Sequence, residues 1–191
     1  MSLFHRQSKA ERFEALAAEH ERMIYLLCLR MMGNEMDAQD CAQETLLSAY
    51  RAFEGFRGEA DVKTWLYRIA YNTCLDALRK RKEHLSLDSL QEAGADFAAD
   101  RSSQPEQAAD RRELRRQIRQ ALAALPEDQR AVMILRDFQD TPYEEIARIL
   151  EISEGTVKSR LSRAREKVKN YIKSAEQNGD LRVQGNEGRQ K

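Results

Sequence analysis

TPYEEIARILEISEGTVKSRLSRAREKVK, residues Thr141–Lys169, is the stretch from which the rest of the chain can be read. It divides into two helical patterns around a short break. In the first, Thr141 is placed to cap, Pro142 suits the first helical position, and Glu144 would complete a capping box. Ile146, Ala147 and Leu150 then recur with a helical period. Glu151-Ile152-Ser153 interrupts the pattern, with Ile152 expected as a buried plug and Ser153 as the next N-cap. The second helix carries its apolar stripe at Val157, Leu161, Ala164 and Val168.

At about 100° per residue, the positions opposite that stripe follow directly. Ser159, Ser162, Arg163 and Glu166 point away from it, Lys158 and Arg165 flank them on one side, and Arg160 and Lys167 on the other. A polar strip between two basic rails suits the major groove, because its centre meets base edges while the rails meet phosphates. A charge run alone would describe any solvated basic face. Together, the caps, the short turn and the sidedness make the stretch a helix-turn-helix.

Composition sets the limits on what surrounds it. Charged residues make up 34% and aromatics 7%, so the core must rest on Leu, Ile, Ala, Val and Met. With eight glycines and three prolines there are few turns for a sheet, and an all-α chain is expected. The formal net charge is zero, so a DNA-binding role must rest on how charge is segregated. Cys28, Cys41 and Cys74 are too widely spaced for a zinc knuckle or a redox pair and are expected as buried free thiols in a reducing cytosol. No apolar run is long enough to span a membrane and the N-terminus lacks a signal-peptide core, which points to the cytoplasm. No nucleophile with a partnered base, metal-ligand cluster or phosphate loop stands out. Hence no enzymatic activity, cofactor, metal or small-molecule substrate is expected.

Upstream, a helix from about Ala10 to Met32 places Phe13, Leu16, Ala17, Ile24, Leu27, Cys28 and Met31 on one face, and Gly33-Asn34 ends it. A second, Asp37 to about Phe53, buries Cys41, Leu46, Ala49 and Phe53 and exposes Asp40, Gln43, Glu44 and Ser48. The loop Glu54–Ala60 holds two glycines and Phe56. A third helix, about Val62 to Lys82, buries Val62, Leu66, Ile69, Ala70, Thr73 and Ala77. Its other face presents Trp65, Arg68, Asn72, Asp76 and Arg79 and runs out into Arg79-Lys80-Arg81-Lys82. An aromatic, an amide and cations on one face suit single-stranded nucleic acid, by stacking, edge recognition and backbone contact. Core packing for Trp65, a surface amide for Asn72 and a solvated helix end for the basic run are the alternatives.

Leu85–Asp110 shifts to Ala, Ser, Asp, Gln and Glu with no sustained period, and reads as a flexible acidic linker with room for a short helix. Beyond it, Leu114, Ile118, Ala121, Leu122 and Leu125 make one helix face, Pro126 starts the next helix, and Ala131, Ile134, Leu135 and Phe138 line it. The expected organisation is a domain at 10–84, a linker at 85–110, a domain at 111–174 and a disordered tail at 175–191.

Five segments, in order, resemble the bacterial RNA polymerase sigma factors of the extracytoplasmic-function type. They are Asp40-Cys41-Ala42-Gln43-Glu44, Phe56-Arg57-Gly58-Glu59, Thr64 to Asn72, Leu125-Pro126-Glu127 and Glu154 to Arg160. The resemblance covers about Ala10 to Lys173. It implies sigma domain 2, a three- to four-helix bundle, tethered to sigma domain 4, which holds the helix-turn-helix. It further implies that Asp40, Gln43 and Glu44 dock on the β′ clamp helices of core polymerase, and that the β flap is a second contact. By the same resemblance, the loop from Phe56 to Ala60 with Asn72 holds a base flipped from the minus-10 strand, and Trp65, Arg68 and Arg79 share that face. Lys158, Ser159, Ser162 and Arg163 match minus-35 reading positions, with Thr156, Arg160 and Arg165 on the same duplex. Promoter DNA and an anti-sigma factor are the other implied partners. A stand-alone helix-turn-helix regulator is the alternative reading, followed by a DNA-acting enzyme and a helical adaptor.

Overall fold

The computed structural model describes residues 8–56, 61–87 and 105–177. Helix α1 spans Lys9–Met32, starting at a capping box in which the Ser8 hydroxyl accepts from Glu11 N–H and the Glu11 carboxylate accepts from Ser8 N–H. It stops at Gly33, whose φ of 80° lets its N–H reach back to the Leu29 carbonyl. Asn34 then caps α2, Glu35–Ala52, by accepting from Asp37 N–H at 2.9 Å. A 3₁₀ turn at Phe53–Gly55 leads to the next connection, and α3 follows at Val62–Leu87. These three helices pack pairwise into a bundle. Its core holds Ile24, Leu27, Cys28, Ala38, Ala49, Leu66, Ala70 and Cys74. The three cysteines are free and buried, as their helical positions led us to expect.

Four helices follow: α4 at Pro105–Ala123, α5 at Glu127–Met133, α6 at Tyr143–Leu150 and α7 at Glu154–Gln177. Helices α5, α6 and α7 enclose Ile134, Leu135, Ile146, Ile149, Val157, Leu161 and Ala164. The stripe of α7 is therefore where its period places it, with Val168 half-buried at its end. Between α5 and α6 the chain forms one π-helical stretch, Ile134–Phe138, closed by Gln139 N–H on the Ile134 carbonyl at 3.1 Å. Such stretches are rare and tend to mark functional positions.

Several expectations change. Helix α6 is not capped by Thr141 and has no capping box with Glu144. Pro142 is the N-cap, no side chain caps it, and Thr141 is buried with its hydroxyl unpartnered. The extended ψ of 151° at Pro142 moves the helix start one residue on. Leu114 is 54% exposed, and buried Gln117 faces inward in its place. Ile152 is only half-buried. Helices α3 and α4 extend to Leu87 and from Pro105 into the expected linker, and α7 runs on through Gln177. The rest of that linker, 88–104, and the tail after 177 lie outside the described residues, as does Ala60.

The largest change is on α3, where Thr64, Tyr67 and Leu78 are also buried, while Val62, Ile69, Thr73 and Ala77 are half-buried. This second buried flank exists because α6 packs against α3 and joins the two bundles into one continuous core. Replacing Leu161 by Ala should cost about 2–5 kcal/mol of stability, read as a lower urea midpoint. Ser162→Ala, one residue away on the exposed face, should stay within about 0.5 kcal/mol. Equal losses at both positions would mean that the stripe is misassigned.

Candidate nucleic-acid interface

The break between α6 and α7 is built from two adjacent backbone devices. Glu151 closes α6 in the left-handed region, φ 55°, and Ile152 N–H reaches back to the Ala147 carbonyl at 3.0 Å. Glycine is the usual residue at such a C-cap. Ser153 then caps α7 by accepting from Thr156 N–H at 3.2 Å, with its hydroxyl 2.9 Å from that of Thr156. The turn therefore fixes the direction in which α7 leaves.

On α7, Lys158, Ser159, Ser162, Arg163, Arg165 and Glu166 are exposed, Thr156 and Arg160 are half-buried, and the outward strip expected from the helical wheel is present. Ser159 donates back to the Thr156 carbonyl at 3.0 Å. Lys158 Nζ lies 5.9 Å from the Tyr143 ring, which also carries Arg136 at 5.3 Å. The two rail arginines are already engaged. Arg160 pairs with Asp128 at 3.0 Å, and Arg165 makes a forked pair with Asp137 at 3.1 and 2.5 Å. The hydrogen bond to Asp137 raises the Arg165 pKa further. The sequence contains both carboxylates but gives no sign of these pairings, since Asp128 and Asp137 lie far from their partners along the chain.

On α3, Trp65, Arg68, Asn72 and Arg79 fall within one arc of the helix, and Arg68, Asn72 and Arg79 are exposed. Phe56 stacks on Trp65 with centroids 4.6 Å apart and planes at 27°, so both aromatics form one half-buried shelf beside that arc. Trp65 is thus neither core nor free. Arg79 pairs with Asp76 at 3.4 Å, and Arg68 pairs with Glu151 from the α6–α7 turn. Tyr71, between them, is half-buried, and its pKa is raised by that burial, with Arg160 opposing.

On α2, Asp40, Gln43 and Glu44 are exposed together. Sequence reasoning missed the apolar members of this surface. Met36 is 72% exposed, Leu47 51% and Tyr50 38%, and with Asp40 and Gln43 they recur at alternating spacings of four and three. A stripe with that spacing is the kind that packs against another helix. The alternating four-and-three spacing of Met36, Asp40, Gln43, Leu47 and Tyr50 is its signal in the sequence.

The Sigma-70 region 2 family profile matches residues 16–84 and the Sigma-70 region 4 profile matches residues 115–168. The chain is 36% identical over 161 residues to the RNA polymerase sigma-H factor of Pseudomonas aeruginosa, covering 82% of this chain and 83% of that one. The chain belongs to the ECF family of RNA polymerase sigma factors. It is also 38% identical over 157 residues to the ECF sigma factor SigW of Bacillus subtilis, covering 78% of this chain and 83% of that one. Among solved structures, the sigma factor RpoE of Bartonella quintana, in complex with the anti-sigma factor NepR, shares the fold. Its TM-score is 0.70 at 24% identity, covering 85% of this chain and 97% of that one. CnrH, in complex with the cytosolic domain of CnrY, gives 0.62 at 25%, covering 85% of this chain and 88% of that one. As an ECF sigma factor the chain binds core RNA polymerase and promoter DNA and directs promoter-specific initiation.

Replacing Ser153 by Ala should cost about 1 kcal/mol. Hydrogen exchange should show lost protection confined to the first turn of α7. Unchanged exchange there would remove Ser153 from the capping role.

Proposed function

We propose that three exposed surfaces divide the work of promoter recognition. The α2 stripe, Met36, Asp40, Gln43, Glu44 and Leu47, docks on the β′ clamp helices. The α3 arc, Arg68, Asn72 and Arg79 beside the Phe56–Trp65 shelf, holds the opened minus-10 strand. The outer strip of α7, Lys158, Ser159, Ser162 and Arg163, reads minus-35 duplex, with Thr156, Arg160 and Arg165 toward phosphate. The observation that carries this reading is the exposure of a polar, cationic strip on α7, set opposite a buried stripe and fixed in direction by the Ser153 cap.

Each surface suits its target physically. Stacking on an aromatic shelf helps offset the few kcal/mol of extruding a base. Side chains on α7 can donate to base edges without unfolding anything around them, because every reading position is on the exposed side. Arg160 and Arg165 reach phosphate by exchanging a carboxylate for it, which keeps each guanidinium paired throughout. None of these steps makes or breaks a covalent bond, and the work takes place in the cytoplasm, where polymerase is.

Anti-sigma control is part of the same reading. The RpoE structure holds the anti-sigma factor NepR, and the CnrH structure holds the cytosolic domain of CnrY. In this chain a cleft of about 1100 Å³ opens between the α1–α2 corner and α4, lined by Met32, Met36, Asp40, Arg81, Arg116 and Ala123. A partner seated there would cover Met36 and Asp40 and so compete with core polymerase.

Arg163→Ala should weaken binding of the holoenzyme to its promoter by about 1–3 kcal/mol, measured as open-complex formation on the cognate sequence; an unaltered promoter profile would remove Arg163 from the reading strip. Changing Gln43, Glu44 and Leu47 together to Ala should lower affinity for core polymerase in a pull-down or anisotropy titration while leaving the circular dichroism spectrum intact. Retained affinity would sink the α2 docking surface.

A further inference from the structure

The three cysteines form a cluster that promoter recognition does not use. Each comes from a different helix of the N-terminal bundle: Cys28 from α1, Cys41 from α2 and Cys74 from α3. Cys74 lies between the other two, its side chain in hydrogen-bonding contact with both. Packing alone does not require sulfur on α2, because Ala38, Ala42 and Ala49 fill other buried positions of that helix. A thiol sealed in apolar surroundings is inert, so what separates these three is access.

Cys28 and Cys74 are fully buried, whereas Cys41 is 4% exposed and lines the cleft of about 1100 Å³ between the α1–α2 corner and α4. Met32 and Met36 line the same cleft, which puts three sulfur side chains around one opening. The two thiols in contact differ in charge preference. Donation from Cys74 lowers the Cys41 pKa, against burial and the nearby carboxylates Asp37 and Asp40. Contact with Cys28, then with Cys41, and then burial hold the Cys74 pKa up, so Cys74 keeps its proton. The thiolate is the nucleophile in thiol oxidation. The pair therefore has an attacking member facing the cleft and a resolving member behind it.

We propose that Cys41 is a peroxide-reactive thiol, that Cys74 is its resolving partner, and that the bond between them weakens docking on core polymerase. Cys41 Sγ attacks one oxygen of hydrogen peroxide and the O–O bond breaks. The departing hydroxide takes the former Cys41 proton and leaves as water, and Cys41 becomes a sulfenic acid. Cys74 Sγ then attacks Cys41 Sγ, the S–O bond breaks, and the Cys74 proton leaves with the hydroxyl as a second water. Two thiols are oxidised to one disulfide, and one peroxide is reduced to two waters. In a reducing compartment such a bond is transient, as redox-sensing disulfides are. Two thiols in contact must close to about 2 Å to bond, which draws α2 toward α3. Asp40 adjoins Cys41, and Gln43 and Glu44 follow within one turn, so the docking stripe shifts with it. This consequence rests on the α2 assignment made above.

The test treats the full chain with hydrogen peroxide and reads free thiols in denaturant, linked peptides by mass spectrometry, and affinity for core polymerase. The expected result is one free thiol remaining of three, a peptide linked through Cys41 and Cys74, and an affinity lower by about tenfold, the scale of losing one central interface contact. Dithiothreitol should restore thiols and affinity together. Cys41→Ala should keep its affinity through peroxide treatment, and Cys74→Ala should accumulate a sulfenic acid on Cys41 that dimedone traps. Three intact thiols, or a bond joining Cys28 to Cys74, would overturn the assignment of Cys41. An equal loss of affinity in Cys41→Ala would trace the effect to Met36 and overturn the switch. A bond between Cys41 and Cys74 with unchanged affinity would overturn the coupling, and the triple α2 replacement above then decides separately whether the docking surface stands.

Discussion

A guanidinium buried without a carboxylate in hydrogen-bonding reach is expensive, and among the described residues Arg130 is in that position. Burial pushes its pKa down, with Glu127 opposing. What makes the arrangement stable is the convergence of three carbonyls from helix ends that would otherwise lack partners. Removing one member of such a set strands the others, which is how a buried charge comes to specify geometry more than it adds stability. Arg130 ties the end of α4 to the last turn of α1, and the packing of α6 on α3 seats the two bundles over one core.

Carboxylates of the chain itself cover part of its cationic surface. The reading strip of α7 stays open to solvent, while its rail arginines lie on Asp128 and Asp137 and Arg68 lies on Glu151. Exposed pairs of this kind are worth little in isolation, on the order of 0–1 kcal/mol each. That weakness suits the proposed role: a phosphate can displace a carboxylate at small cost. A chain with no net charge can therefore bind a polyanion, provided its carboxylates are the groups that step aside.

Much of this was legible in the residues. The α7 stripe, the exposed acidic and amide group on α2 and the Ser153 cap follow from a 3.6-residue period and from capping chemistry, both of which are local. The features that escaped are set by neighbours distant in sequence. Tyr67 and Leu78 read as outside the apolar stripe of α3 because periodicity reports one buried face, and α3 has two. Thr141 looked like a cap, but Pro142 adopts the extended conformation itself and moves the helix start. The π-helical stretch differs from an α-helix by one residue of hydrogen-bond register, which leaves no trace in composition. The arginine–carboxylate pairs, which set the charge state of the site, depend wholly on tertiary packing.

The central claim is that one chain reads two DNA elements from two bundles while bound to polymerase. It is tested most directly by adding the protein to core enzyme, transcribing genomic fragments, and sequencing the 5′ ends of the transcripts. The account predicts new start sites that share two upstream elements at a constant separation, with the upstream element lost in the Arg163→Ala holoenzyme and the downstream one degraded by Asn72→Ala. Start sites sharing a single element, or no new start sites at all, would contradict it.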